Sequence, residues 1–291
     1  MYTDMFGNPR VRLGLHHHSN LSDGKLAPEQ IAQLYCDAGY DAIAVTDRWK
    51  YADGRTYNGI TVLPGCEYDA GGNNCTVGVY HFVCLFADRA PTLQRGASAQ
   101  QIIDEIHAAG GLAVLAHPAW SLNSPEKIRC LRGIDATEIY NAVSERGMSR
   151  RADSSLIVDM LACEGLFYPL FASDDSHYYG EGNLADSCTS FIMVSCDSLD
   201  PSALKKAILS GDFYASTGPE IHLSRQDNIA RVDCSPVSEI VFMSNISWSP
   251  RVFTGNGLTG AEYALRPGET FIRAFVKDAN GRQAWTNCIQ L

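Results

Sequence analysis

The sequence predicts a mixed α/β fold followed by a small antiparallel β domain, and three observations carry that expectation. Apolar strand-like runs alternate with amphipathic helical stretches over residues 1–217, the pattern of a parallel sheet covered by helices. Residues able to do chemistry fall just after the apolar runs, where a closed β/α barrel gathers its site on one face. From about Gly218 helical spacing gives way to short strand-like runs, which sets the expected division into residues 1–217 and 218–291.

Taken in order, Val11-Arg12-Leu13-Gly14-Leu15 leads into His16-His17-His18-Ser19-Asn20-Leu21-Ser22-Asp23-Gly24. In a strand over Leu13 to His18 alternate side chains share a face, so His16 and His18 point together and His17 points away. Two neutral imidazoles at one strand end can chelate a divalent ion, and Asp23 on the Gly-terminated turn adds a hard oxygen. A purification-tag remnant would sit at a terminus, without Ser-Asp-Gly and a helix start behind it.

Pro28 opens a helix through Ile31, Leu34, Tyr35 and Ala38 to Gly39, and Ala42-Ile43-Ala44-Val45-Thr46 reads as a buried strand ending in Asp47-Arg48. Glu67 closes the run Leu63-Pro64-Gly65-Cys66, where a lone buried carboxylate would cost several kcal/mol unless paired or metal-bound. Ser98 and Gln101 form a capping box for a helix through Ile102 and Ile106 to Gly110, and the strand Leu112 to Ala116 ends in His117-Pro118. A strand over Ala136 to Tyr140 precedes a helix carrying Leu156, Ile157, Met160 and Leu161 to Gly165. The strand Tyr168 to Ala172 ends in Ser173-Asp174-Asp175-Ser176-His177, Phe191 to Val194 is a further strand, and Asp200-Pro201 starts a helix to Gly211. Beyond Gly218, strands are expected over Glu220 to Ser224, Ile229 to Cys234, Glu239 to Met243 and Thr270 to Lys277. Asp278-Ala279-Asn280-Gly281 then turns a hairpin into Gln283 to Thr286.

The 291 residues are 45% hydrophobic, enough for a sizeable core. A formal net charge of −10 excludes a protein that coats nucleic acid through a basic face, so no stable nucleic-acid complex is expected. The N-terminus lacks the pattern of a secretory signal and no run reaches the roughly 18 apolar residues of a membrane span, so a cytoplasmic protein is expected. Ten cysteines without Cys-x-x-Cys spacing read as buried free thiols.

The ordered set His16-His17-His18, Ser22-Asp23-Gly24, Thr46-Asp47, Glu67, His81, His117-Pro118 and Asp175-Ser176-His177 resembles the PHP (polymerase and histidinol phosphatase) family. Its opening signature is His-x-His, three residues and Ser-Asp-Gly. The resemblance implies a distorted (β/α)7 TIM-like barrel over residues 1–217 as a PHP metallophosphoesterase domain, with residues 218–291 as a small β-sandwich-like domain. It implies that His16 and His18 bind one ion, that Glu67 bridges it to a second held by His81 and His117, and that Asp175 completes the set. Asp23 and His177 would lie on a third position. Two divalent ions, or three, are implied, and mixed nitrogen and oxygen donors suit Zn, Mn or Fe.

One residue departs from the family pattern. Where the family places a His after Thr-Asp, this chain has Arg48, and a guanidinium has no lone pair to give a metal. Three readings stay open: Arg48 clamps a substrate phosphate, it pairs with Asp23, or it points outward and leaves the third position weakened. Asp174 is an alternative to Asp175, but only Asp175 has the spacing to His177. His17, His107 and His222 are set aside.

The expected activity is metal-dependent hydrolysis of phosphate esters, with a metal-activated bridging hydroxide attacking phosphorus and His177 or Asp23 protonating the departing oxygen. The expected substrate is a small phosphorylated metabolite or nucleotide, with Tyr140-Asn141, Arg146, Arg150 and Arg151 as loop residues able to contact it. Two alternatives are an amidohydrolase-type metal hydrolase and a degenerate, non-catalytic metal-binding module whose β domain holds a partner. No Gly-rich phosphate loop, Gly-x-Ser-x-Gly elbow or Rossmann fingerprint competes with these readings.

Overall fold

The computed structural model describes residues 1–57, 59–71, 78–145, 149–178, 185–248 and 251–291. Among them, strands gather into one thirteen-stranded and one five-stranded sheet. In the larger sheet Pro9–Gly14 lies between Ala42–Ala44, parallel to it, and Phe191–Ser195, antiparallel to it; Ile60–Leu63 adds beyond Ala42–Ala44 in parallel. The smaller sheet orders Gly65–Ala70, Tyr80–Leu85, Leu112–Leu115, Ala136–Asn141 and Leu170–Ser173. Two isolated bridges, His17 to Ser176 and Arg48 to Glu67, join the sheets at the end where the candidate ligands lie. Between the sheets sits an apolar core including Leu13, Ala44, Val83, Val114, Ile139, Phe171, Ile192 and Trp285.

The expected closed barrel of parallel strands is corrected by this topology. Tyr80–Leu85 runs antiparallel to both its neighbours, and no continuous ladder closes the ring among the described residues. Parallel pairing needs a crossover of a dozen or more residues, and only nine, 71–79, join Gly65–Ala70 to Tyr80–Leu85, which pair antiparallel. Leu112–Leu115 is antiparallel to Tyr80–Leu85 although the helix Ala99–Ala108 lies between them in the chain. Only Pro64 separates Ile60–Leu63 from Gly65–Ala70, where the chain turns from one sheet into the other. Gly65 sits at that corner because a Cβ there would meet Thr46 Cγ2 at 2.9 Å.

The helices follow their sequence signals. Pro28–Asp37 starts on proline, and Ala99–Ala108 carries the reciprocal Ser98–Gln101 box. Pro201–Ser210 is capped by Asp200, whose carboxylate accepts from the Ala203 N–H at 3.1 Å. Ser155–Cys163 forms as expected but buries Val158, Leu161 and Ala162, leaving Leu156 and Met160 exposed. The opening strand stops at Gly14, earlier than expected, and the chain continues extended through His18.

After residue 218 the strands do not form a separate layer. Phe213–Ser216 pairs with Gln283–Thr286, so they extend the larger sheet, and fully buried Trp285 enters the same core as Leu13 and Phe171. The expected hairpin pairs Phe271–Lys277 with Gln283–Thr286. Ile229–Met243 is one strand rather than two, and Val252–Ala264 is a strand the sequence did not announce. Nine described cysteines are free; Cys66, Cys84 and Cys234 are buried, Cys130 and Cys163 are exposed, and Cys75 lies outside the described residues. No helix among the described residues is long and apolar enough to cross a membrane.

Candidate metal centre

The extended chain after Gly14 is pinned from both sides: the Thr46 N–H donates to His17 O at 2.8 Å, the His18 N–H to Ser176 O at 3.0 Å, and the Asp175 N–H to His16 O at 2.9 Å. Alternation then sends His16 and His18 to one side and His17 to the other, against Tyr35, with its Nδ1 at 3.1 Å from Ser176 Oγ. His16 Nε2 and His18 Nε2 stand 3.2 Å apart. Asp175 Oδ1 is 3.3 Å from the first and 3.0 Å from the second, and Glu67 oxygens approach them at 3.6 and 3.3 Å. All four side chains are buried.

On the other side of Glu67, His81 Nδ1 lies 2.8 Å and His117 Nε2 3.6 Å from Glu67 Oε1, and His117 Nε2 is also 3.6 Å from Asp175 Oδ2. His18, Asp23 and His177 make a third group: His18 Nδ1 is 3.6 Å from Asp23 Oδ1 and His177 Nε2 3.6 Å from Asp23 Oδ2. Arg48 reaches into this third group. Its Nε donates to Asp23 Oδ2 at 2.7 Å, Nη1 donates to Glu67 Oε2, and Nη2 lies 3.1 Å from His177 Nε2. The outward-pointing reading of Arg48 is thereby overturned. Its neighbouring backbone bridges to Glu67, and the Trp49 N–H donates to Glu67 O at 2.8 Å.

The electrostatics call for cations. Burial opposes ionisation of Glu67 and Asp175, yet Arg48 and the histidines hold both carboxyls well below their ordinary range. Burial opposes a charged His16, yet Asp175 and Glu138 raise its pKa well above the ordinary histidine value, so the imidazole stays protonated where no other cation is bound. Asp23, Glu67, Glu138 and Asp175 against Arg48 and the protonated His16 still leave two negative charges in excess.

Donor spacing tests whether a metal fits. Ligand atoms at about 2.0–2.2 Å from one ion are separated by about 3.0–3.6 Å, the spacing found here. Asp175 Oδ1 is buried without a hydrogen-bond partner, which an ion would supply. The backbone is held in place for the purpose: His117 has φ 30° and Asp175 φ 51°, left-handed values that cost non-glycine residues energy. Gly24 is required because a Cβ there would fall 2.0 Å from His18 O, and Asp47 ties the loop by accepting from the Ser19 N–H at 2.8 Å and from the Ser22 hydroxyl at 2.5 Å. The residues present fit divalent ions.

Several residues escaped the sequence reading. Glu138 Oε1 lies 2.8 Å from His16 Nδ1, while Oε2 accepts from the His117 N–H and Asn141 Nδ2, both at 2.9 Å. Ser121 Oγ lies 3.0 Å from His117 Nδ1, and Trp120 packs edge-on against His117 with centroids 4.9 Å apart. A carboxylate inside the run Ala136-Thr137-Glu138-Ile139 was the available signal. Asp174 faces away, accepting from the Tyr35 hydroxyl at 2.6 Å and the Ser190 N–H at 2.8 Å; burial lifts its pKa to about 6. His107 is exposed beside Asp135, and His222 pairs with Glu220 away from the centre. Of the loop residues, Asn141 reaches Asp175 Oδ2 at 3.3 Å, Tyr140 stacks on Trp285, Arg150 and Arg151 are exposed, and Arg146 lies outside the described residues. A cavity of about 110 Å³ opens over the centre, lined by Asp23, Arg48, His81, His117, Trp120, Val143, Ser144, Asp175 and His177.

No protein-family model matches the chain, and no curated protein matches it. Among solved structures, a two-domain protein from Bacteroides vulgatus containing a predicted PHP-like metal-dependent phosphoesterase is 15% identical, with a TM-score of 0.54 over 99% of this chain and 97% of that one. A structure from Bifidobacterium adolescentis, named for a metal-dependent phosphoesterase, is 14% identical with a TM-score of 0.45 over 60% of this chain and 91% of its own. An amidohydrolase from Chromobacterium violaceum, with bound sulfate and no metal, is 17% identical with a TM-score of 0.43 over 58% of this chain and 88% of its own. At such identity the first likeness shows a shared fold.

Proposed function

We propose that the protein is a metal-dependent phosphoesterase acting on a small phosphorylated metabolite or nucleotide. The observation that carries this reading is the convergence of His16, His18, Glu67, His81, His117 and Asp175, buried, at ligand spacing and with negative charge in excess. The motif order read from the sequence and the shared fold support it.

His16, His18 and Asp175 would hold one ion and His81 and His117 another, with Glu67 between them. When bound, Zn, Mn or Fe lowers the pKa of a water and offsets charge on phosphoryl oxygens. The chain's own residues prepare that chemistry. Glu138 beside His16 Nδ1 and Ser121 beside His117 Nδ1 fix each ring so that its Nε2 lone pair faces the centre. Arg48 gives the cavity wall a permanent positive charge that attracts an anionic ester. His177 Nδ1 lies 2.7 Å from the Asp175 carbonyl oxygen, which turns Nε2 toward Asp23 and the cavity. His177 beside Asp23 would supply a proton to the departing oxygen only after Nε2, which faces Arg48 Nη2 at 3.1 Å, has taken one up. A cavity of about 110 Å³ receives little beyond the phosphoryl group, so the rest of the substrate stays outside it.

Every proposed ligand falls within residues 1–217. Residues 218–291 act as a brace, with Trp285 stacked on Tyr140 beneath the centre. Substituting Asp175 by Asn tests the reading. It should abolish hydrolysis of an aryl phosphate in folded protein, and undiminished turnover would refute the assignment.

A further inference from the structure

Arg48 stands among the donors of the third group, and we propose that its guanidinium takes the place of a third metal ion, so that the centre binds two ions and excludes another. This inference rests on the metal-centre reading and deepens it.

Each nitrogen of the fork meets one neighbour of that position: Nε meets Asp23 at 2.7 Å, Nη2 meets His177 at 3.1 Å, and Nη1 meets Glu67. An ion held by Asp23 and His177 would sit about 2.1 Å from their donor atoms. That space is filled by a group that carries positive charge, has no lone pair and keeps its protons. Displacing it would leave Asp23 and Glu67 without their shared partner, and Glu67 is buried. The bridge to Glu67 and the Trp49-to-Glu67 hydrogen bond fix the backbone from which the side chain extends. The charge at this position is therefore covalent, and a chelator cannot remove it.

Glu67 keeps its other duties. A carboxylate oxygen has two lone pairs, so Oε2 can accept from Arg48 while still facing His18, and Oε1 faces His81 and His117.

The test is metal stoichiometry on the full chain, stripped with EDTA, reloaded with excess Mn, desalted and measured by elemental analysis, together with anomalous diffraction at the Mn edge. Wild type should hold two ions, with no anomalous peak between Asp23 and His177. Arg48→His restores a nitrogen donor and should hold three, with a peak at that position. Adding Asp23→Asn to that variant should return the count to two. Three ions in wild type, or two in a folded Arg48→His protein, would overturn the inference. Should Arg48→His not fold, the wild-type anomalous map decides, because a peak beside Asp23 and His177 is incompatible with it. Fewer than two ions in wild type would overturn the metal-centre reading itself, and this inference with it.

Discussion

Replacing Glu138 by Gln changes one atom and tests whether the buried carboxylate behind the centre sets the ligand chemistry. Glu138 Oε1 faces His16 Nδ1, and Oε2 accepts from both the His117 N–H and Asn141 Nδ2. A glutamine can serve only one side. With its oxygen toward His117 and Asn141, its NH₂ faces His16 Nδ1 and drives the ring into the tautomer whose Nε2 carries a proton, which removes that nitrogen as a ligand. With its oxygen toward His16, the NH₂ opposes two donors and both bonds are lost. The first arrangement weakens the ion at His16 and the second loosens His117, a ligand proposed for the other ion. Losing such a supporting partner typically costs 10–100-fold in metal affinity, about 1.4–2.8 kcal/mol. Competition for Mn or Zn against a fluorescent chelator measures this, with circular dichroism confirming the fold. A folded Glu138→Gln protein with affinity within twofold of wild type would refute the reasoning.

Other perturbations give equally direct outcomes. Asp4 accepts from the Phe6 and Asn8 N–H groups and from Arg10; burial pushes its pKa up, but these donors outweigh it and hold the carboxyl below its ordinary value. A lowered folded pKa gives stability that is present above the unfolded pKa of about 3.9 and lost as pH falls through the folded value. Asp4→Asn should therefore cost about 1.5–3 kcal/mol in urea melts at pH 7, and the gap to wild type should narrow below about pH 4; a pH-independent gap would count against the assignment. Gly24→Ala puts a Cβ where His18 O stands, and should lower metal content and turnover at least tenfold with secondary structure retained; full metal content would contradict it. Trp285→Ala removes a fully buried ring shared by the late strands and the core, and should cost about 3–5 kcal/mol by chemical denaturation, whereas a loss below about 1 kcal/mol would show that the two parts are energetically separate.

The residues that converge at the centre were legible because most of them, His81 excepted, follow an apolar run and because their order along the chain forms a motif. Glu138 lay hidden because its role depends on meeting His16 across 122 residues, which no local pattern reports. Closure of the barrel was misjudged for a comparable reason. Gly65–Ala70 and Tyr80–Leu85 pair antiparallel across a short connection and Tyr80–Leu85 and Leu112–Leu115 across a helical one, and an apolar run reads alike in either direction. The strands expected over Ile229 to Cys234 and Glu239 to Met243 are one, because the ladder shifts register between Asp233 and Val237 and so accommodates Pro236, which has no N–H. Val252–Ala264 contains Gly255, Gly257 and Gly260 and is largely exposed, so neither propensity nor alternation marked it. Arg48 was recognised as a departure from the pattern, but its fork to Asp23 and Glu67 required the structure.

The most direct test of the central claim is hydrolysis of a generic aryl phosphate by the purified chain, before EDTA treatment, after it, and after Mn or Zn is restored. A metal-dependent phosphoesterase predicts turnover that EDTA abolishes and metal restores, and that Asp175→Asn lacks under all three conditions. Turnover that survives complete metal removal, or protein with two bound ions and no turnover on any phosphate ester, would contradict the account.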